Sequence, residues 1–165
     1  MVTPPPPCSA AISGRLTRIH LCTGLLERDG AILLVASRYP NHDAPLWNLP
    51  GGRQNPNELL PAALKREFLE ETGLEVQPGE LAYVSESYDG ATQFTNATFL
   101  VSGSGMPRVP ENDAHVIAFE WVAKNEVGAR ISVRVVRDPL LAYLGGGRSR
   151  YYGYAEAGIT IEFGD

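Results

Sequence analysis

The stretch of residues 52–74, GRQNPNELLPAALKREFLEETGL, carries the strongest structural signals of the sequence. Its second half predicts a helix over residues 60–72. Pro61 is tolerated only in the first turn of a helix, so the helix must begin close to it. Gly73 stands where a glycine commonly ends a helix. The stretch therefore predicts one helix with well-defined ends.

Acidic side chains occupy one face of this predicted helix, because Glu67, Glu70 and Glu71 are spaced i, i+3 and i+4. Like charges at this spacing destabilise a helix by roughly 0.2–0.5 kcal/mol per pair, and the helix dipole disfavours them near its end. Such violations are expected where function compensates for them, and a hard divalent cation would do so. Leu64 and Phe68 would fix the neighbouring face to a core. A plain solvated acidic face is the competing interpretation.

The same stretch resembles the Nudix box, G-x5-E-x7-R-E-U-x-E-E-x-G-U, where U is a bulky apolar residue. All nine specified positions are filled without a gap, by Gly52, Glu58, Arg66, Glu67, Phe68, Glu70, Glu71, Gly73 and Leu74. At average residue usage, a chance match in a chain of this length is on the order of one in ten million. A weaker likeness extends over most of residues 19–144. By this box the chain resembles a member of the Nudix hydrolase family.

The resemblance implies a single α/β domain over residues 15–165, built as a Nudix-type α/β/α sandwich with a mixed β-sheet. It implies Mg²⁺ as cofactor, with Mn²⁺ as a substitute. The implied metal ligands are one backbone carbonyl and three carboxylates, those of Gly51, Glu67, Glu70 and Glu71. Arg66 and Glu58 would orient the metal-binding glutamates. Glu67 is the first choice for the general base, which accepts a proton during hydrolysis.

Family members cleave a nucleoside diphosphate linked to some other moiety. The implied activity is therefore metal-dependent hydrolysis of a phosphoanhydride bond, in the class of nucleoside triphosphates, ADP-ribose or nucleotide sugars. No convincing subclass marker follows the box, so the substrate stays open. Two alternatives also stay open: removal of pyrophosphate from an RNA 5′ end, and a catalytically silent Nudix-fold nucleotide sensor. A sensor would usually have lost a box carboxylate, and all of them are present here.

Candidate substrate contacts lie outside the box. Arg38 and Trp47 approach it from the N-terminal side, and Glu111 and Asp113 occupy a later polar loop. Trp47 could stack on a base, while packing in the core is the competing interpretation. In some family members a glutamate beyond the box serves as the base, so the two loop acids are alternatives to Glu67. They could equally be solvated.

The start of the predicted helix departs from the family pattern. Leu59 stands where many Nudix boxes have a Ser or Thr that caps the helix. We therefore expect Asn57 or water to supply the cap.

Strands are predicted on both sides of the box. An Asp29-Gly30 turn, which is a strong hairpin signal, joins strands at residues 21–26 and 31–36. Further elements are predicted as strands at residues 81–87, 97–101, 116–122 and 158–163 and as a helix at residues 138–144. Strands with interspersed helices indicate one α/β or α+β domain. Residues 1–14, with consecutive prolines at positions 4–7, are expected to form a flexible lead-in.

Composition restricts the partners. The 165 residues carry a formal net charge of −5, so the chain has no long-range attraction for polyanions. This argues against long nucleic acid and leaves a small nucleotide-type substrate. No apolar stretch approaches the roughly 18 residues of a membrane span, so no membrane partner is expected. Two cysteines and the absence of a secretory pattern favour a cytoplasmic location. The sequence leaves open whether the chain forms a homodimer.

Overall fold

The computed structural model describes residues 15–112 and 115–163. The expected flexible lead-in and Asp113 lie outside the described residues. The elements, in chain order, are β1 (Thr17–Arg28), β2 (Ala31–Ser37), β3 (Leu46–Asn48), β4 (Gly51–Arg53), α1 (Leu60–Thr72), β5 (Gln77–Asp89), β6 (Thr92–Ser102), β7 (Val116–Ala123), α2 (Val127–Arg130), α3 (Arg134–Leu144) and β8 (Tyr151–Tyr154). In this part of the chain, no helix is long and apolar enough to cross a membrane.

The strands form one mixed sheet in the order β3-β2-β1-β6-β5-β8, with β4 paired to β1 and β7 paired to β2. The pairs β1–β6 and β5–β8 are parallel, and the other pairs are antiparallel. On one edge, β1 pairs with β6 along most of its length. On its other edge, β1 pairs with β2 only at the hairpin end, and β4 occupies part of the remaining edge. This opening brings the chain just before α1 against the central strand.

Helices cover both faces of the sheet. Ile32 and Leu34 of β2 point to one face, where they belong to a core shared with α2 and α3. Leu33 points to the other face and belongs to a core with Leu64 and Phe68 of α1, and all three are completely buried. Alternate side chains of β2 therefore pack in two separate cores. This arrangement confirms the predicted α/β/α sandwich with a mixed sheet.

Helix α1 begins and ends where the sequence predicts. Pro61 lies in its first turn, and Gly73 ends it in the left-handed conformation (φ 70°), with the Gly73 N–H donating to the Leu69 carbonyl at 3.0 Å. Of the two expected caps, the one by Asn57 is wrong, and the one by water stays a prediction. The N-cap residue is Leu59, in extended conformation, and it has no side-chain cap hydrogen bond. Asn57 lies two residues earlier, where the backbone turns through a positive φ of 64°.

The first hairpin is also confirmed. Asp29 and Gly30 both have positive φ, of 51° and 78°, as a two-residue turn between twisted strands requires. The central strands run beyond their predicted limits by one to five residues. The strands β3 and β4 have only three residues each, which is too short for a periodic signal.

Two predictions toward the end of the chain need correction. Residues 158–163 alternate apolar and polar side chains, but in the described residues they pair with no strand, and β8 is formed instead by Tyr151–Tyr154. The last helix begins at Arg134, four residues before the predicted start. Pro139 therefore lies inside this helix and not in its first turn. The added turn brings Val136 against the core.

Replacing Leu59 with Ser is expected to raise the free energy of unfolding by about 1 kcal/mol, because a hydroxyl at an extended N-cap can accept a hydrogen bond from the first turn. The Leu59 side chain is 76% exposed, so little packing is lost. Urea unfolding measures the change, with Leu59→Ala as the matched control that removes the same side chain without adding an acceptor. Equal stability of the two variants would contradict the prediction.

Candidate active site

Two glycines let β4 lie directly beneath helix α1. In the pairing of β4 with β1, Gly51 lies opposite Thr23 and Gly52 opposite Cys22. A Cβ atom at Gly51 would lie 2.0 Å from the Cys22 carbonyl oxygen, and a Cβ atom at Gly52 would lie 2.4 Å from Cδ of Glu67. Any side chain at either position would push the strands apart or displace the glutamate. The glycine pair therefore sets the contact between strand and acidic helix.

Glu71 is held by the backbone of this glycine strand. Its Oε2 accepts a hydrogen bond of 2.9 Å from the Gly51 N–H, and Glu71 is only 6% exposed. A buried carboxylate requires such polar partners to offset its desolvation. The resemblance implies that the Gly51 carbonyl binds metal. The contact seen here is made by the Gly51 amide, and the carbonyl's role stays a prediction.

Arg66 gathers the other glutamates of the box. Its Nε and Nη2 bond both carboxylate oxygens of Glu58 at 2.9 Å. Its Nη1 donates to Glu67 at 2.8 Å and to Glu70 at 3.2 Å. Nη2 also donates to the Arg53 carbonyl at 2.9 Å. One permanently charged guanidinium thus offsets the repulsion among the carboxylates that the sequence predicts.

Arginine contact and burial move the pKa values of two glutamates in opposite directions. Hydrogen bonds from Arg66 and from the Asn55 amide lower the pKa of Glu58 to about 2. Burial raises the pKa of Glu67, although Arg66 opposes that change. Glu58 is thus an ionised partner for the arginine at neutral pH. Glu67 has the increased proton affinity that suits a general base.

The glycine pair and two of the glutamates open onto a cleft of about 1000 Å³, which is lined by Glu67 and Glu71 among others. Pockets for small molecules and cofactors are commonly ~300–1000 Å³, so the cleft has room for a nucleotide carrying a further group. Its polar floor includes Thr23 of β1, Ser85 and Ser87 of β5, and Asn96 of β6. Further walls come from residues 38–45, from α3 and its preceding residue, and from the stretch after β8.

The polar floor of this cleft was not predicted from the sequence. The Thr23 and Thr98 hydroxyls are 2.8 Å apart, and the Asn96 amide donates to them at 3.1 and 3.3 Å. These bonds fix Asn96 in position. The available signal was the pair of small polar residues Ser85 and Ser87, which are two positions apart and therefore share one face of a strand. That pattern alone does not tell a cleft floor from an ordinary solvated face.

Of the substrate contacts predicted outside the box that fall within the described residues, only Arg38 lines the cleft. Trp47 is not placed to stack on a base there, because it packs against the core on the α2 and α3 side with the Arg130 guanidinium 5.1 Å from its ring centroid. Glu111 lies beside Glu70 in a separate cavity of about 430 Å³. Asp113 lies outside the described residues.

The donor chemistry of the site fits a hard divalent cation. Glu67 and Glu71 offer carboxylate oxygens at the cleft, and Glu70 is 53% exposed on the same helix. Among residues 15–112 and 115–163, no three acidic, histidine or cysteine side chains already converge as ligands. Glu67 and Glu70 are directed at Arg66 instead. Mg²⁺ is commonly held by one or two carboxylates with water and substrate phosphates, so a complete protein cage is not required.

A sandwich that sets an acidic helix against a glycine strand, beside a nucleotide-sized cleft, defines a Nudix-type domain. The family model described as "NUDIX domain" matches residues 17–144, and the chain belongs to this family.

Named relatives agree with this assignment. The CTP pyrophosphohydrolase of Escherichia coli (strain K12) is 40% identical over 62 residues, covering 38% of this chain and 46% of that protein. The 8-oxo-dGDP phosphatase NUDT18 of Homo sapiens is 27% identical over 124 residues, covering 74% of this chain and 37% of that protein. The solved MutT NUDIX hydrolase from Burkholderia pseudomallei is 30% identical, with a TM-score of 0.65 over 75% of this chain and 96% of that chain. The matches span less than half the length of the two curated relatives.

Replacing Glu58 with Gln is expected to destabilise the fold at neutral pH, with a difference that shrinks as the pH falls. A carboxyl with a lowered pKa in the folded state stabilises that state above its unfolded pKa of about 4.3. This stabilisation is lost as the pH falls through the folded value of about 2. Urea unfolding of wild type and variant, measured from neutral to strongly acidic pH, tests the prediction.

The control for Glu58→Gln removes its partner. In an Arg66→Met background, Glu58→Gln should have little effect on the unfolding midpoint, because the bidentate pair no longer exists. Two results would contradict the ion pair as the cause. One is an equal loss of stability from Glu58→Gln with and without Arg66, and the other is a loss that does not change with pH.

Proposed function

We propose that this chain is a metal-dependent hydrolase that cleaves a phosphoanhydride bond of a nucleoside diphosphate linked to another moiety. The observation that carries the proposal is the opening of Glu67 and Glu71 onto the same nucleotide-sized cleft as the polar strand floor. The names of the two curated relatives, a CTP pyrophosphohydrolase and an 8-oxo-dGDP phosphatase, describe phosphate chemistry on nucleotides.

Mg²⁺ is the proposed cofactor, with Mn²⁺ as a substitute. The residues that would hold it are Gly51, through its carbonyl, and Glu67, Glu70 and Glu71. When bound, the ion neutralises diphosphate charge and lowers the pKa of a coordinated water. Arg66, itself fixed by Glu58, would orient Glu67 and Glu70 through the contacts already seen.

Glu67 is the proposed general base. It lines the cleft, and burial raises its pKa. In the proposed step, the oxygen of a water molecule forms a bond to phosphorus, the anhydride P–O bond breaks, and the proton of the water passes to the Glu67 carboxylate. The alternative base Glu111 lies in the separate cavity beside Glu70. This placement supports Glu67 over Glu111, and Asp113 stays an alternative base.

The test is a substrate panel of nucleoside triphosphates, ADP-ribose, nucleotide sugars and 5′-triphosphorylated RNA, with products separated by ion-exchange chromatography. Turnover should require Mg²⁺ and stop with chelator. Glu71→Gln should lower kcat by about 100-fold or more, because it removes a carboxylate charge from the site. The matched control is Glu75→Gln, which neutralises an exposed acid just beyond α1 and should leave kcat unchanged.

Each outcome of the panel has a defined meaning. Preferred cleavage of the RNA end would select that alternative over a small-molecule substrate. Nucleotide binding without turnover of any panel member would overturn the hydrolase proposal in favour of a sensor. Equal turnover by wild type and Glu71→Gln would show that the reaction occurs elsewhere.

A further inference from the structure

The segment of residues 157–163 follows β8 and lies beyond the residues that the family model matches. Its side chains alternate in direction. Ile159, Ile161 and Phe163 line the cleft, whereas Thr160 and Glu162 are exposed. The alternation that predicted a strand therefore produces an apolar wall, with one side facing the cleft and the other facing solvent.

Polar contacts on the solvent side hold the 157–163 segment in place. The Thr160 carbonyl accepts a hydrogen bond from Asn41 Nδ2 at 2.6 Å and lies 2.8 Å from His42 Nε2. The Glu162 N–H donates to Asn41 Oδ1 at 2.9 Å. The Thr160 hydroxyl donates to Asp89 Oδ1 at 3.0 Å. The segment thus bridges the loop before β3 and the end of β5, on both of which the cleft depends.

Phe163 joins this wall to the aromatic residues of the cleft. Its ring centroid lies 6.0 Å from that of Tyr39 in an edge-to-face arrangement and 6.2 Å from that of Phe94. The Arg53 guanidinium lies 4.1 Å from the Phe163 ring centroid. The Arg53 carbonyl also accepts the hydrogen bond from Arg66. The wall is therefore tied to the strand that supports the acidic helix.

The lining of the cleft therefore combines two kinds of chemistry. Glu67 and Glu71 supply oxygen ligands suited to a cation and phosphates, which have no apolar surface to bury. Phe163 and Ile161 offer an apolar surface next to further aromatic rings, which suits a flat nucleobase. We propose that the 157–163 segment is the base-contacting wall of the cleft, with Phe163 and Ile161 as specificity-determining residues for the nucleobase. This inference rests on the proposed function, because it assigns the residues of the same site that contact the base.

The test measures binding and needs no turnover. Dissociation constants are determined by calorimetry, with Mg²⁺, for a non-hydrolysable nucleoside triphosphate and for inorganic tripolyphosphate, which has no base. Phe163→Ala should raise the Kd for the nucleotide by about 10-fold and leave that for tripolyphosphate unchanged, because only the base stacks on an aromatic side chain. Ile161→Ala should act in the same direction.

Two further variants separate contact from folding. Glu162→Ala changes an exposed residue of the same segment and should alter neither Kd. Phe163→Trp keeps an aromatic surface and should retain nucleotide affinity. Equal weakening of both ligands by Phe163→Ala, or an unchanged nucleotide Kd, would overturn the proposal.

The binding assay also separates this inference from the hydrolase proposal. Suppose that Phe163→Ala weakens binding of the nucleotide but not of tripolyphosphate, in a chain without turnover. This result would support the base-contacting wall and overturn only the hydrolase proposal. Turnover that depends on Glu71, together with normal nucleotide binding by Phe163→Ala, would overturn only the wall.

Discussion

Three glutamates share one face of α1 near the negative end of its dipole. The guanidinium of Arg66 offsets the resulting repulsion among the carboxylates of the box. Arg66 contacts Glu67 and Glu70 while Glu58 holds it from the other side. A guanidinium suits this position because it is always charged and has donors in several fixed directions. The helix can therefore keep closely spaced carboxylates, and hydrogen bonds from Arg66 set the directions of Glu67 and Glu70.

Close packing between the strand backbone and α1 fixes the position of the acidic face relative to the cleft. A Cβ atom at Gly24 would lie 2.4 Å from Cε2 of Phe68, so the helix sits almost directly on β1. On the same side, the Gly51 amide holds Glu71 and Gly52 admits Glu67. The acidic face cannot rotate or rise without breaking contacts in a dense core. The precision of the site thus comes from positions that have no side chain.

Local signals predicted what depends on local structure. The limits of α1 followed from Pro61 and Gly73, and the sandwich followed from the box and the strand pattern. Features that depend on register could not be predicted in this way. A shift of one residue would turn Trp47 from the core toward the opposite face, and its three-residue strand gives no pattern that fixes the choice. Apolar and polar side chains do alternate in residues 158–163. The same alternation occurs in a paired strand and in an unpaired segment that lines a cleft, so it does not distinguish the two.

The parallel pairing of β1 with β6 has a consequence for how the chain reaches its native state. Thr23, on the cleft floor, lies 2.8 Å from the hydroxyl of the buried Thr98, which is 75 positions away in the sequence, so a long loop must close before the two residues meet. Contacts of such separation slow folding, because the loop must close before they form. The floor of the cleft is complete only after this closure. A ligand that binds only the complete cleft should therefore slow unfolding and do little to speed folding, which would extend the lifetime of the folded molecule.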